Sequence, residues 1–537
     1  MLMTEAGDKR KHSRTATLVV SASAIGVLVL TSAASAKTYH PTRTDDPKPN
    51  GCKPNNCSLR EAVIAANNTP APSCRVGGPA LRKCPVIVLQ PGKSYRLTRQ
   101  GNGSDSPATG DLDLLSAPRS VTYWTIETAH GRSPATINGN GIDRIIDSAG
   151  SSGLTVNDVV LRGGHARGQT TPNDISGANG GAINGGNLKI HNSRLVKNVA
   201  DDSGGAVYSR GGGLEVSNSR LKKNSAAGDG GALAMDGQAD RILAEVTKTR
   251  ATHNRAGGAG GMAAFTTEAG IKLSRSFVAD NRATSVGGAI YSQQGNAESI
   301  DVLIDRSTIT GNESRASGGG LATSYTEVTN STISSNRAAD DGGGIVARIP
   351  ATTFTSQPSL QVENSTIANN TASSRGGGVA ADSGFASARL VATTVVRNSA
   401  DQGGGLYQGA GDMLTVQNTI VALNRAGAAL SGPDCFPATA GFPSQGHNLI
   451  GDPSGCSGFT AAGDLIGGPL QLAKLADNGG PTKTVALQSG SRAIKAGDPA
   501  ALPPQVVRFD QRGVKRKSPP DIGAYERQKK KKKKMGK

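Results

Sequence analysis

Five aspartates are the first residues to consider for chemistry. Asp201-Asp202, Asp340-Asp341 and Asp401 recur along a chain of 537 residues. Glycoside hydrolysis needs two carboxyl groups at a fixed separation, one as acid and one as base or nucleophile. Each of these aspartates, however, stands just before a glycine pair, where Asp also serves as a turn former, and the turn reading is preferred. The seven histidines form no triad or metal spacing, and no Gly-x-Ser-x-Gly elbow opens a helix. A single tryptophan, Trp124, is little material for the aromatic platforms that sugar clefts use. Catalytic residues are therefore not assigned, and neither a cofactor nor a metal is expected.

The elements that would position any such site are set by a repeat. Glycine is 72 of the 537 residues and comes in pairs and triplets beginning at Gly180, Gly204, Gly230, Gly260, Gly287, Gly318, Gly342, Gly376 and Gly403. The spacing, about 28 residues, is that of a solenoid. Asparagines keep step with the pairs: Asn198, Asn224, Asn254, Asn281, Asn312, Asn336, Asn370, Asn398 and a closing Asn424. An aliphatic stands three residues before all but Asn254, where Ala251 takes its place, and the residues ahead of it alternate, as in Leu188-Lys-Ile-His-Asn-Ser-Arg-Leu195. Alternation of period two means half-buried strand. The pattern predicts an all-β chain, a single-stranded right-handed parallel β-helix of about thirteen coils, with stacked side-chain amides about 4.8 Å apart along its axis. Glycines would supply turns with positive φ and room for the backbone of adjacent coils. Weaker units reach upstream to Val86, and Gly163 is read there as standing in the asparagine place.

The ends have different compositions. Residues 1–36 carry Lys9, Arg10, Lys11 and Arg14, an apolar run from Leu18 to Leu30 and Ala34-Ser35-Ala36, the order of a secretory signal peptide. No later segment is long and apolar enough to span a membrane. Export makes disulfides the natural fate of six cysteines, although six allow fifteen pairings. Proximity favours Cys52 with Cys57, Cys74 with Cys84 and Cys435 with Cys456. Net charge is +18, of which the tail 527–537 supplies +8; it is expected to be disordered, or to act as an electrostatic tether to an anionic envelope polymer or lipid. No nucleic-acid motif accompanies the charge. The expected organisation is a signal peptide (1–36), a disulfide-bearing cap (37–85), β-helix repeats (86–425), a C-terminal capping region (426–526) and the poly-Lys tail (527–537).

Both caps resemble known modules. Cys57-Ser-Leu-Arg-Glu-Ala62 followed by Ala65-Ala-Asn67 closely resembles the CSLREA motif that opens bacterial secreted or surface β-helix proteins, and Ser58 to Glu61 is a capping box for a short plug helix. Gly287 to Ile290, with the aliphatic-x-x-Asn element, is similar to the repeats of chlamydial polymorphic outer membrane proteins. Asn478-Gly-Gly-Pro-Thr482, Gly490-Ser-Arg-Ala-Ile-Lys-Ala-Gly-Asp498, Asp510-Gln-Arg-Gly513 and Asp521-Ile-Gly-Ala-Tyr-Glu526 resemble the choice-of-anchor Q domain, from which Arg492 and Lys495 depart by replacing the usual proline and aspartate. The resemblances imply a secreted or cell-surface β-helix protein; with no catalytic motif found, the expectation is an adhesin-like or structural, non-catalytic protein, a monomer, with a polysaccharide or an anionic envelope polymer as partner. The alternative is a carbohydrate-active enzyme, a lyase or hydrolase, acting on an acidic polysaccharide. The residue set of β-helix polygalacturonases is absent as a set; Gly446-His447-Asn448 is only a fragment of it.

Overall fold

The computed structural model describes residues 37–68, 84–101, 106–115, 123–131, 133–168, 177–237, 242–266, 269–293, 302–347, 358–384, 386–427, 431–500 and 508–528. The expected signal peptide, Cys74 and the run of lysines from Lys529 lie outside them. Nearly every strand pairs in parallel with the strand one coil earlier and one coil later, forming a parallel β-helix. The unit that includes Asn224 is representative. Leu214–Ser217 forms a first face, Arg220–Lys222 a second, Ser225–Ala226 a short third, and Leu233–Asp236 completes the coil after the glycine pair. The second face stacks into fourteen strands and the third into ten, and the other two strands of each coil merge in a sheet of twenty-three.

Three corners per coil turn the chain, each through left-handed backbone. One is the first glycine of each pair, with φ from 59° to 72° over the nine repeats. The second glycine is needed for space: a Cβ on Gly343 would lie 2.5 Å from the carbonyl oxygen of Gly377 in the next coil. The other two corners are mostly built without glycine. Lys223, Arg397 and Leu423, each just before a repeat asparagine, hold φ of 57°, 57° and 59°, a conformation that costs about 1–2 kcal/mol in a non-glycine residue. The hydrogen bonds made by the asparagine that follows hold them there.

Asn198 to Asn424 stand in one buried column. Each side-chain Nδ2 donates to the Oδ1 of the next asparagine at 2.9–3.1 Å. It donates again, at 3.0–3.2 Å, to the carbonyl of the aliphatic position one coil back. Backbone N–H groups of the preceding asparagines add a second bond to each Oδ1. Two donors and a doubly used acceptor are the whole capacity of a primary amide, so the column leaves nothing buried unsatisfied. At its start Gly164 donates to Asn198 Oδ1 at 3.0 Å. Leu161 is level with Leu195, so Gly164, and not Gly163, takes the asparagine place; Gly163 is the corner before it.

A hydroxyl column runs parallel to the amides. A Ser or Thr five residues before every repeat asparagine donates to the carbonyl two residues back, closing the corner between the first and second faces. From Ser219 to Ser365 its oxygen also accepts the N–H of the preceding coil's hydroxyl residue. Both columns end on aspartate. Asn424 donates to Asp434 Oδ1 through its backbone and side chain, at 3.0 and 2.8 Å. Thr419 passes to Asn448, and Asn448 to Asp464 Oδ1. A last rung has donors on one side only, and a carboxylate accepts without having to donate.

Burial pushes the Asp434 carboxyl up to about 6, against the hydrogen bonds from Asp452 and Asn424 that favour its ionised form. Because the folded value lies above the unfolded one, the folded state holds the proton more tightly. Ionising this group therefore removes stability as pH rises from about 4 to about 6, by up to about 3 kcal/mol. Chemical denaturation across that range should show this descent in the native chain and a flatter profile in Asp434→Asn; parallel profiles would contradict the assignment.

At the N-terminus Leu59–Asn67 forms a helix, opened by the reciprocal Ser58–Glu61 capping box. Leu59, Ala62, Val63 and Ala66 join the end of the core. Arg60 is fully buried, paired with Asp46 and donating to the carbonyls of Gly110 and Asp111. Disulfides join Cys52 to Cys57 and Cys435 to Cys456. Cys84 is disulfide-bonded, and its expected pairing with Cys74 falls outside the described residues.

Beyond the asparagine repeat, Leu449–Ile450 and Leu465–Ile466 continue the second face. The chain then doubles back and covers that face. Residues that point outward there change where the cover begins, from Arg194, Arg220 and Arg250 on early coils to Thr332, Thr366, Thr394 and Ile420 on late ones, the latter all buried. Ile420, Ala422 and Val396 pack with Val485, Leu487, Ala493 and Ile522 of the returning segment. Among the described residues no helix is long and apolar enough to cross a membrane.

Candidate functional site

The aspartates named for turn or acid chemistry are brought to one corner but not into one catalytic pair. Asp201 accepts from His165 Nε2 at 2.8 Å, and Asp202 from Ser203 at 3.1 Å. Ser317 donates to Asp340 at 3.4 Å. Asp341 is buried and gripped by Arg375 through two bonds of 3.0 and 2.8 Å; the same guanidinium pairs with Asp382 and lies over the Tyr407 ring. Asp401 lines a shallow depression beside Arg375. Trp124 is enclosed in the core, and His447 donates through Nδ1 to the carbonyl of Ala496, tying the returning segment to a coil.

A groove of about 840 Å³ lies where the returning segment meets the first face. Asp305, Glu327 and Glu363 come from three successive coils: Asp305 is level with Thr329 and Thr329 with Glu363, while Glu327 is two residues before Thr329. One strand spacing and two residues of rise separate Glu327 from Glu363 by about 8 Å between Cα atoms. Asp305 Oδ1 accepts from Thr329 Oγ1 and Asn330 Nδ2, at 3.1 and 2.9 Å, and Oδ2 from Arg306 at 3.1 Å. Glu363 is buried, and its Oε1 accepts from Gln361 at 2.7 Å with Arg389 3.8 Å away. Burial, then the charges of Glu363 and Asp305, push the Glu327 carboxyl up. The opposite wall carries Arg508 and Phe509, whose ring is 47% exposed. A carboxyl pushed up by burial, with a second carboxyl on the next coil, is an arrangement that acid–base glycan cleavage can use, and an exposed ring beside it can carry a sugar.

Charge spacing along the chain carries no sign of this groove. Its carboxylates belong to three coils, and its far wall is more than a hundred residues away in the chain. The switch of outward residues from arginine to threonine was the available signal for a covered face. The departures Arg492 and Lys495 have structural places: Arg492 donates to the carbonyls of Ile466 and Gly467, and Lys495, at φ 58°, donates its backbone N–H to Asp521 at 2.8 Å. No family model and no curated protein matches the chain.

Proposed function

We propose that the chain is an exported, surface-associated β-helix protein, adhesin-like or structural, in which the solenoid is a stiff scaffold and binding, not catalysis, is the task. The observation that carries this reading is the attachment of residues 470–500 and 508–526 along four coils by buried polar groups. Gln511 Nε2 lies within hydrogen-bond distance of oxygens of Ser331, Thr332, Thr482 and Lys483, and its Oε1 accepts from Thr366 at 2.6 Å. A segment so attached would pass a pull at the C-terminal end to the side of the solenoid, as a CSLREA and choice-of-anchor Q type of protein would require. The disulfides suit an oxidising compartment, as does the signal-like N-terminus, and the clamped Asp341 suits a structural role. Deleting 527–537 should move protein from the envelope fraction to the medium at low salt; an unchanged distribution would refute tethering by the tail.

The Glu327–Glu363 groove favours a second reading, a carbohydrate-active enzyme. On the scaffold reading, a panel of uronate polymers and neutral glycans is bound or ignored but not cut. Product formation abolished by Glu327→Gln would replace that reading with the enzymatic one.

A further inference from the structure

Charge is arranged in opposite ways on two neighbouring faces of the early coils. On the first face, outward Lys189 pairs with Glu215 and Lys272 with Glu245 from one coil to the next. On the second, Arg194, Arg220 and Arg250 are in direct register on three successive coils, all exposed. Arg162, Lys197 and Lys223 flank the column, also exposed, and none of these six takes part in an ion pair among the described residues. Like charges directly opposite one another on a sheet destabilise it. The same face is free of this repulsion further on, where threonine and isoleucine lie under the returning segment.

We propose that this arginine column is a docking face for a linear acidic polysaccharide whose carboxylates neutralise successive coils. The rise per coil, about 4.8 Å, is of the order of one pyranose ring, so one chain laid along the axis can offer a carboxylate to each guanidinium. Guanidinium rather than ammonium fills all three central places, matching the planar fork of a carboxylate. The column ends on Phe277, level with Arg250, whose guanidinium lies 4.0 Å from the ring centroid. The ring is partly exposed and gives a sugar an apolar platform. Exposed Asn218 at the adjoining corner offers an amide to ring hydroxyls. A polyphosphate would use the charges but not the ring.

The inference rests on the reading of the chain as a binding scaffold, but its test does not depend on export or anchoring. Binding of the full mature chain to an oligogalacturonate is measured by calorimetry against salt, with dextran and inorganic polyphosphate as comparison probes. Arg194→Gln, Arg220→Gln and Arg250→Gln together should weaken oligogalacturonate binding at least tenfold and flatten its salt dependence. Thermal stability should be unchanged or higher, which separates lost binding from misfolding. Phe277→Ala should weaken oligogalacturonate binding and leave polyphosphate binding unaltered. Equal affinity of the triple variant, or an equal effect of Phe277→Ala on both polyanions, would overturn the proposal. An unchanged envelope distribution after deletion of 527–537, with intact oligogalacturonate binding, would count against the tethering reading alone.

Discussion

Asn312→Asp is expected to destabilise the protein by about 3–5 kcal/mol, more than Asn312→Ala at about 1–3 kcal/mol, although aspartate has nearly the shape of the amide it replaces. Asn312 Oδ1 accepts from Asn281, and a carboxylate oxygen keeps those bonds. The loss is on the other side, where Nδ2 donates to the carbonyls of Val278 and Thr310 and to Asn336 Oδ1 at 2.9 Å. An oxygen there would face acceptors, in a site with 1% exposure, and would bring a charge with no cation beside it. Alanine only leaves partners unpaired. Lowering the pH should narrow the gap, because the introduced carboxyl regains one donor once it is protonated. Equilibrium denaturation of both variants at two pH values checks this; an aspartate variant as stable as native would mean that the column does not hold the corners in place.

The same directionality explains why Asp434 and Asp464 occur where they do. Every asparagine in the column receives from one coil and gives to the next, so an acceptor-only residue fits at one end and nowhere else. That logic was open to sequence reading as far as the asparagines, since the spacing of asparagine, aliphatic and glycine pair recurs on each coil. The hydroxyl column was equally legible, five residues before each asparagine, yet Ser and Thr are common enough in such a chain for the register to pass unnoticed. Position 434 was not legible, because the interval from Asn424 to Asp434 is 10 residues, well short of a repeat. Asp434 stands level with Gly405, two residues past the corner glycine Gly432, and reaches the column from a place that glycine or a small residue holds on most earlier coils. The groove around Glu327 was hidden for a related reason. Repeats reveal what every coil shares, whereas a site is made of what single coils do differently and of what a distant segment lays across them.

The distant segment supplies the second large effect. Arg516→Met is expected to cost about 3–5 kcal/mol and to free residues 508–526 from the late coils before the rest unfolds. Arg516 is fully enclosed in its side chain, 3.8 Å from Glu526, whose side chain is equally enclosed. Its Nη2 donates at 2.8 Å both to Asn364 Oδ1 on the solenoid and to the carbonyl of Gly523, so one guanidinium joins two layers and neutralises the acid between them. Burial pulls the Arg516 guanidinium down while Asp510, Glu526 and Asp521 support its charge. The Glu526 carboxyl is pushed up by burial and by Asp521, against hydrogen bonds and Arg516 itself. Methionine keeps much of the volume but leaves Glu526 with the partly exposed Lys517, 3.7 Å away, as its remaining cation, so the buried carboxyl must take up a proton or turn outward. The strain should concentrate at the joint, because the amide column and the apolar core beneath do not use Arg516. Hydrogen exchange should therefore rise at Ile522, Ala524 and Thr394, the last of which accepts from the Ala524 N–H at 3.0 Å, while Asn254 and Asn281 on earlier coils stay protected. Uniform loss of protection along the whole solenoid would show instead that the returning segment and the coils unfold as one cooperative unit.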